Sequence, residues 1–392
     1  MAPDWARIRA TSGNRRVLAS QAVPAKCRFV RSSRRSDALS VRARVSNDAD
    51  TLGAGFRYPC LTLAAQQLPY VGTRAIAREA LELTMVSAGE LHVPGLDYEH
   101  LTAELVTSLA VVTRATTGRV RWSGVKVHAG TVLLIPGMKE THFDRLAAAG
   151  TILAKFLFFP LSTHKEEALQ YTAWCRARGI RTKVHTGGVS RSGLSHTCGY
   201  EILAWLQPDI AAHVSGGPIP MSDADLDRVI DETSFALEIC SSGNYGSTQR
   251  AVRRMKERGQ LHRLVMGTDT PGGTGVIPRG MLRQLCFLCS VCGLSPGEAI
   301  AVAAGNTARA HGLDVGVLAP GRVADLVICG PVQGSAGTGV ADASAHGDLP
   351  GIAYVLVEGK PVVSGRSRQT PPPHRKYFFS CCEAHSGRFE VT

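Results

Sequence analysis

The chain has 392 residues, of which 44% are hydrophobic and 19% charged, a composition that excludes disordered and fibrous proteins. No apolar run reaches the roughly 18–20 residues of a membrane-spanning helix, so we expect no membrane insertion. Eight of the twelve net positive charges belong to residues 1–60, which hold eleven Arg and one Lys against four Asp. Because the rest of the chain is nearly balanced, its charge does not favour nucleic acid as a partner.

Residues 1–60 are rich in Arg, Ser and Ala and show no sustained period, and we assign residues 1–74 to a basic segment. Three interpretations stay open: an organellar targeting segment, a disordered basic arm and a misread gene start. No apolar signal-peptide region follows Met1, and eleven irregularly spaced cysteines indicate a reducing compartment. We therefore expect a cytoplasmic protein, or an organellar one if the N-terminal segment is a targeting sequence.

From about residue 75, short apolar runs alternate with amphipathic stretches, a pattern typical of parallel strands joined by helices. Strands are predicted at 83–87, 124–127, 152–158, 181–186, 210–215, 235–240 and 264–268. Helices are predicted at 99–113, 139–149, 164–178, 199–206, 224–232, 248–258 and 297–311. A closed α/β barrel has eight strands, and this count gives seven. We predict an α/β fold, a (β/α)8 TIM-like barrel over residues 75–312 that lacks its first strand.

Two further segments follow the predicted barrel. Residues 313–366 contain short, β-rich runs punctuated by Gly and Pro, and we predict a small C-terminal β module, the remnant of a β-sandwich. Residues 367–392 carry three consecutive prolines and then a polar stretch, and we expect a mobile tail.

Two motifs are set aside in favour of simpler interpretations. Cys286, Cys289 and Cys292 have a spacing that can hold an iron–sulfur cluster, but they lie in an apolar helical segment, which favours core packing. The sequence PGGTG after residue 270 lacks the Gly-Lys-Ser/Thr ending of a phosphate-binding loop. We therefore expect neither a cluster nor a nucleotide site.

Polar residues stand at the ends of the predicted strands, where chemistry is presented in a parallel barrel. Imidazoles of His185 and His213 suit zinc or iron when deprotonated, and a bound cation lowers the pKa of its water toward neutrality. Asp269 ends the last strand, where its carboxylate can bind the metal and move a proton. The pattern predicts a metal-dependent hydrolase with Asp269 as general base and acid.

Several stretches of the chain resemble the amidohydrolase superfamily, and within it the enamidases, which open a cyclic enamide ring. They are GVKVHAG (124–130), KVHTGG (183–188), HVSGGP (213–218), DETSFALEI (231–239), GTDTPGGTGVIPRGMLR (267–283), GNTARAHGL (305–313) and LAPGRVADLVI (318–328). The resemblance covers about three quarters of the chain. It implies hydrolysis of a C–N bond in a small cyclic amide that can carry a ring carboxylate.

By this resemblance, His185, His213 and Asp269 match metal ligands of the family, and one or two zinc or iron ions are expected. Lys155 lies within a residue of the bridging ligand, which is Glu in enamidase and a carbamylated Lys in many relatives. Relatives commonly assemble into tetramers, so a homo-oligomer is expected. Residues expected to contact substrate are Lys126, His128, Gly187, Gly188, Thr270 and Arg279, with Arg191 a further basic candidate.

One departure from the family pattern bears on activity. The first strand of the family ends in a His-x-His pair that supplies two metal ligands, and no His-x-His occurs in this sequence. Three functions therefore remain open. The first is a cyclic-amide hydrolase, and the second is a catalytically impaired relative that only binds a small molecule. The third is a protein that binds a polyanion or another partner through its basic arm.

Overall fold

The computed structural model of the chain describes residues 4–10, 15–21, 27–32, 38–40, 85–86, 101–117, 126–127, 131–190, 193–217, 219–241, 243–269, 279–319, 321–365, 367 and 370–381. The strands are β1 (Asp4–Ala10), β2 (Arg15–Gln21), β3 (Cys27–Ser32), β4 (Ala38–Ser40), β5 (Met85–Val86), β6 (Lys126–Val127), β7 (Thr131–Leu133), β8 (Leu153–Phe156), β9 (Arg181–His185), β10 (Ile210–Ala212), β11 (Ala236–Cys240), β12 (Leu264–Gly267), β13 (Leu326–Gly330), β14 (Gly351–Val357), β15 (Lys360–Val363) and β16 (Tyr377–Cys381). The helices are α1 (Ala103–Thr117), α2 (Glu140–Ala148), α3 (Lys165–Ala177), α4 (Tyr200–Leu206), α5 (Asp223–Glu232), α6 (Tyr245–Glu257), α7 (Gly280–Ser290), α8 (Pro296–Ala301), α9 (Thr307–Ala310) and α10 (Val340–Ala345).

Six parallel strands form the central sheet of the described residues, in the order β12-β11-β10-β9-β8-β7. Strands β5 and β6 form a second parallel pair. All seven predicted strands are present, and β7 is an additional one that the sequence interpretation missed. Because every pair of neighbouring strands in this sheet is parallel, the carboxyl ends of the six strands lie at one end. This arrangement confirms the predicted α/β class.

The two faces of the central sheet differ in chemistry because alternate residues of a strand point to opposite sides. One face is apolar and belongs to the main hydrophobic core with Phe156, Val184 and Leu237. The other face carries Lys155, Lys183 and Glu238, all buried. The side chains of Lys183 and Glu238 form an ion pair. These polar residues lie inside the strands, next to the carboxyl ends where the sequence predicts the site.

Local sequence signals set the ends of several helices. Ser222 Oγ accepts the Asp225 backbone N–H at 3.1 Å, which caps α5. Ser295 and Glu298 form a reciprocal capping box ahead of α8, whose first residue is Pro296. The predicted helix over 297–311 is present as α8 and α9, separated by a π-helical turn at Val302–Asn306.

Two antiparallel sheets lie outside the central sheet. Strands β13, β14 and β15 form one of them, within the segment expected to be a small β module. Strands β1 to β4 pair in succession, and β16 pairs with β1. The sequence interpretation assigned no strands to the basic segment or to the C-terminal tail, because their composition outweighed short alternations such as Cys27–Ser32. The boundaries of the four predicted segments stay predictions.

The cysteines of the 286–292 run make structural contacts in and around α7. Cys286 and Cys289 are buried in α7, and burial raises the pKa of the Cys289 thiol to about 12. Cys286 Sγ donates to the Asp348 backbone carbonyl at 3.5 Å, which fixes one member of the run in a structural contact. No helix in the described part of the chain is long and apolar enough to cross a membrane.

Candidate active site

Four predicted site residues lie at or near the carboxyl ends of central strands. His185 is the last residue of β9, and His213 directly follows β10. Asp269 follows β12 by two residues and is half-buried, whereas Lys155 lies inside β8 and is fully buried. Parallel pairing of β9 with β10 matches His185 with Ala212, which brings the two histidines side by side.

The two histidine rings face each other through single nitrogen atoms. His185 Nδ1 lies 3.1 Å from His213 Nε2, and the ring centroids are 4.7 Å apart. His185 Nε2 lies 2.7 Å from the Gly188 carbonyl oxygen, which can only accept a hydrogen bond. A neutral imidazole has one N–H, so this contact assigns the proton to Nε2 and leaves a lone pair on Nδ1. That lone pair points at His213 Nε2.

Electrostatics keep both rings neutral. Burial, with a smaller effect from the positive charge of Lys155, lowers the pKa of His185 to about 4. Burial also holds the pKa of His213 well below its usual range, with further lowering by His185, Lys155 and Lys183. Neutral imidazole is the form that binds metal ions, so the site keeps both side chains ready at neutral pH.

The loop after β9 is held close to the loop after β10. The Gly188 backbone N–H donates to the Ile219 carbonyl at 3.1 Å, and Gly187 bridges to Cys198 across the loop. Gly187 has a φ of +89°, and a Cβ placed there would lie 2.3 Å from the Ile219 carbonyl oxygen. Only glycine fits this crossing, which positions the Gly188 carbonyl on His185.

Backbone strain concentrates at predicted site residues. Five non-glycine residues in the described ranges have left-handed backbone, and three are His213, Asp269 and Arg279, with φ of 38°, 52° and 57°. Of the other two, Gln207 caps α4 and Glu358 turns the hairpin between β14 and β15. Left-handed backbone costs about 1–2 kcal/mol per residue and persists where surrounding structure enforces it. Its clustering marks the carboxyl end of the sheet as a functional region.

Of the other predicted site residues, the structure describes Arg279 and Lys126. Arg279 immediately precedes α7, and a Cβ on Gly280 would lie 2.8 Å from Ser241 Oγ and 3.2 Å from Thr268 Cγ2. The start of α7 therefore lies against the ends of β11 and β12, beside Asp269. Lys126 lies in β6, paired with Met85. His128, Arg191 and Thr270 lie outside the described residues, so their roles stay predictions.

The histidine pair fits two ligands of a bound metal. Two imidazoles on one tetrahedral zinc place their nitrogens roughly 3.3 Å apart, close to the observed 3.1 Å. His213 Nδ1 is buried and has no hydrogen-bond partner among the described residues. It can therefore carry the single N–H of the ring when Nε2 binds a metal. No group of three or more His, Cys, Asp or Glu in the described ranges is arranged to hold a metal. The structure thus joins His185 with His213 and does not add Asp269 to them.

Sequence reasoning missed two features of the site. Ser195 is buried, its Oγ lies 3.2 Å from His185 Nε2, and it accepts the Ser190 backbone N–H at 2.5 Å. The second feature is the buried ion pair of Lys183 and Glu238. Lys183 precedes His185 by two residues in β9, on the same face of the sheet. Ser195 gave no signal in the sequence, whereas two charged residues within apolar strands were a signal that we did not use.

Comparisons with known proteins identify the family of the chain and its fold. Residues 53–362 match the amidohydrolase family. The chain is 37% identical over 292 residues to the enamidase of Eubacterium barkeri, covering 74% of both chains. It is also similar to a crystal structure of enamidase, with a TM-score of 0.71, 35% identity and 78% of each chain covered. A β-aspartyl dipeptidase from Fervidobacterium islandicum AW-1 shares the fold, with a TM-score of 0.55, 15% identity, and 90% and 94% of the two chains covered.

The family match spans most of the chain and confirms the predicted (β/α)8 barrel fold. Members of the family generally use divalent metals, in agreement with the histidine pair at the strand ends. This chain therefore belongs to the amidohydrolase family and is a hydrolase that acts on C–N bonds.

Proposed function

We propose that this hydrolase opens the ring of a small cyclic amide or enamide. The observation that carries the proposal is the similarity to enamidase over three quarters of the chain, together with the two converging histidines. The enzyme adds water to the carbonyl carbon, breaks the C–N bond and leaves a carboxylate and a free nitrogen group. We further propose a homotetramer, as in relatives.

His185 Nδ1 and His213 Nε2 would hold a divalent zinc or iron, one or two ions per chain, which supplies Lewis acidity at the amide carbonyl when bound. Gly188 orients His185 through its carbonyl, and burial keeps both rings deprotonated for that purpose. These contacts fix the ligand geometry before a metal binds.

Asp269 is the proposed proton carrier. Its carboxylate takes a proton from the attacking water and returns it to the leaving nitrogen, so that protons balance over the cycle. Its position after β12, between the sheet and the start of α7, supports this role.

Lys155 is the proposed source of a bridging carboxylate after carbamylation. It is buried beside both histidines, where its uncarbamylated cation lowers their pKa values. A carbamate would replace that cation with an anion next to the metal ligands. Dependence of activity on bicarbonate tests this role: Lys155→Glu should keep activity without bicarbonate, and Lys155→Met should lose it.

A second candidate function is a binding protein without turnover. The missing His-x-His pair favours it, since the family draws two ligands from that motif. It predicts thermal stabilisation by a ring carboxylate without hydrolysis.

Ring opening is tested by incubating the zinc- or iron-loaded enzyme with a cyclic enamide and measuring loss of its ultraviolet absorption. Ammonia release is measured as well, because the enamine left by ring opening takes up a second water and gives a carbonyl compound and ammonia. We expect turnover by the wild type and a loss on the order of 10²–10⁴ in kcat for Asp269→Asn. Arg253→Ala, an exposed arginine on α6, serves as control and should keep full activity. Absence of turnover with every cyclic amide tested, together with stabilisation by these compounds, would support the second candidate.

A further inference from the structure

A cavity lies at the opposite end of the central sheet from the histidine pair. Its volume is about 430 Å³, and it is lined by residues at or next to the starts of β9, β10, β11 and β12 and by residues of α3 and α9. Arg181 begins β9 and His185 ends it, so the cavity is roughly 13 Å from the histidine pair along the strand. The proposed hydrolysis does not use this cavity.

The lining of this cavity is strongly basic. Arg176, Arg181, Arg263 and Arg309 contribute to it, and Asp209 is the one acidic residue among the described lining residues. Asp209 is already engaged, since it accepts hydrogen bonds from Arg181 Nη1 at 2.8 Å and from the Thr182 backbone at 2.8 Å. The other three arginines make no ion pair with a carboxylate in the described part of the chain.

Arg263 is the clearest sign of an uncompensated charge. It is only 7% exposed, and its guanidinium donates to the carbonyls of Phe235 and Ile230 and to side-chain oxygens of Thr233 and Gln260. All these acceptors are neutral. A buried cation without an anionic partner is costly, and an anion in the adjoining cavity would relieve that cost.

The rim of the cavity has free donor capacity. Arg176 is exposed and makes no side-chain hydrogen bond within the described residues. Arg309 uses Nη2 on the His262 carbonyl and on Asn306 Oδ1 at 3.0 Å, which leaves its other donors available. Guanidinium groups bind carboxylate and phosphate in a bidentate manner. Two such groups at the rim match an anion with two negative charges.

The floor of the cavity is apolar. Phe235, Ala236, Val265 and Ala310 line it, and Val265 belongs to a small buried cluster with Leu153 and Ile210. A bare inorganic ion would leave this surface unused, whereas a short carbon chain would cover it. The combination of an arginine rim and an apolar floor therefore selects an organic anion.

We propose that this cavity is a second binding site, for a small organic dianion such as a dicarboxylate or a phosphate monoester. The site lies apart from the hydrolytic centre, and it does not depend on the proposed substrate. Arg176 and Arg309 at the rim bind the charged groups of the ligand. Its carbon chain covers the apolar floor at Phe235 and Val265, next to the buried guanidinium of Arg263.

Calorimetric titration of the full chain tests the site with three probes: glutarate, glycerol phosphate and the uncharged glutaramide. We expect a dianion to bind and glutaramide not to bind. Stronger binding of glutarate would identify the carboxylate chemistry, and stronger binding of glycerol phosphate the phosphate chemistry. Arg176→Ala and Arg309→Ala should each weaken binding by at least about tenfold. Arg176→Ala breaks no contact of the described fold, so it keeps the test informative if Arg309→Ala misfolds.

Two controls separate this cavity from other anion sites. His185→Ala removes a residue of the hydrolytic centre and should leave dianion binding unchanged. Arg253→Ala removes an exposed arginine that pairs with Glu257 on α6, and it should also bind normally. The proposal is overturned if the wild type binds no dianion at millimolar concentration, if Arg176→Ala binds as well as the wild type, or if binding disappears in His185→Ala.

Discussion

His185 Nδ1 and His213 Nε2 lie 3.1 Å apart, while the Gly188 carbonyl oxygen lies 2.7 Å from the other nitrogen of His185. This relationship defines which nitrogen of His185 is available, because the carbonyl requires a proton on Nε2. The pair is formed by the ends of two neighbouring strands and by one glycine loop. Its integrity depends on both.

Gly187→Ala should disrupt this loop. Its Cβ would meet the Ile219 carbonyl oxygen at 2.3 Å, and left-handed backbone adds about 1–2 kcal/mol of strain. We expect kcat to fall at least about tenfold, because the Gly188 carbonyl would move from His185. Gly193→Ala is the matched control: it lies on the same loop with a φ of +76° and nothing within 4 Å of its Cβ. Equal losses in the two variants would show that backbone strain alone is responsible.

Arg279→Ala tests recognition of a ring carboxylate. Arg279 precedes α7 beside the ends of β11 and β12, where a cation can meet the charge of a substrate. Loss of a charge-assisted hydrogen bond of about 1.5–3 kcal/mol should raise KM roughly 10- to 100-fold for a carboxylated cyclic amide. KM for the uncharged analogue should change little. A similar change for both substrates would contradict a role in carboxylate binding.

Stability should depend on pH through a buried histidine outside the site. Burial lowers the pKa of His311 to about 4, against about 6.5 in an unfolded chain. Between these values the unfolded chain binds more protons, so the free energy of unfolding falls as pH decreases from about 7 to 4. His311 accounts for up to ~3 kcal/mol of this loss.

Urea unfolding at several pH values in the presence of a chelator measures this dependence. His311→Gln should reduce the slope of the profile between pH 4 and 6.5, and the remaining slope comes from the buried His185 and His213, whose pKa values burial also lowers. The exposed His196→Gln should leave the slope near that of the wild type. An unchanged slope in His311→Gln would show that this residue does not titrate as its burial requires.

The buried pair of Lys183 and Glu238 supports the site from below. The two side chains are 6% and 4% exposed, so removing one partner leaves a buried charge. Lys183→Met should cost about 3–5 kcal/mol in the free energy of unfolding. The double variant Lys183→Met/Glu238→Leu should recover most of that loss. A double variant less stable than Lys183→Met would argue against an unpaired charge as the cause.

The chemistry of the site was readable from the sequence because polar residues end apolar strands. His185, His213 and Asp269 stand out in this way, and the strand pattern alone predicts that they share one end of the sheet. The contact from Gly188 to His185 was not readable, since it depends on how the loop folds back on Ile219. Ser195 was missed for the same reason. Strand β7 was missed because its short apolar run follows β6 by only three residues.

The strands of the basic segment could not be predicted from the sequence. Its composition pointed away from regular structure, yet β1 to β4 pair with one another and β1 pairs with β16 across almost the whole chain. A contact between residues about 370 positions apart leaves no local signal in either strand. The Arg- and Ser-rich composition of the segment therefore masked the weak alternation of polar and apolar residues in these strands.

Metal content per folded chain tests the central claim, that His185 and His213 bind a divalent metal. The wild type and His196→Ala, an exposed histidine on the same loop, should each retain about one or two zinc or iron ions per chain after dialysis. His185→Ala and His213→Ala should retain markedly less while remaining folded. Equal metal content in all four proteins would contradict the account. So would the absence of metal from the wild type after it has been incubated with zinc or iron and dialysed.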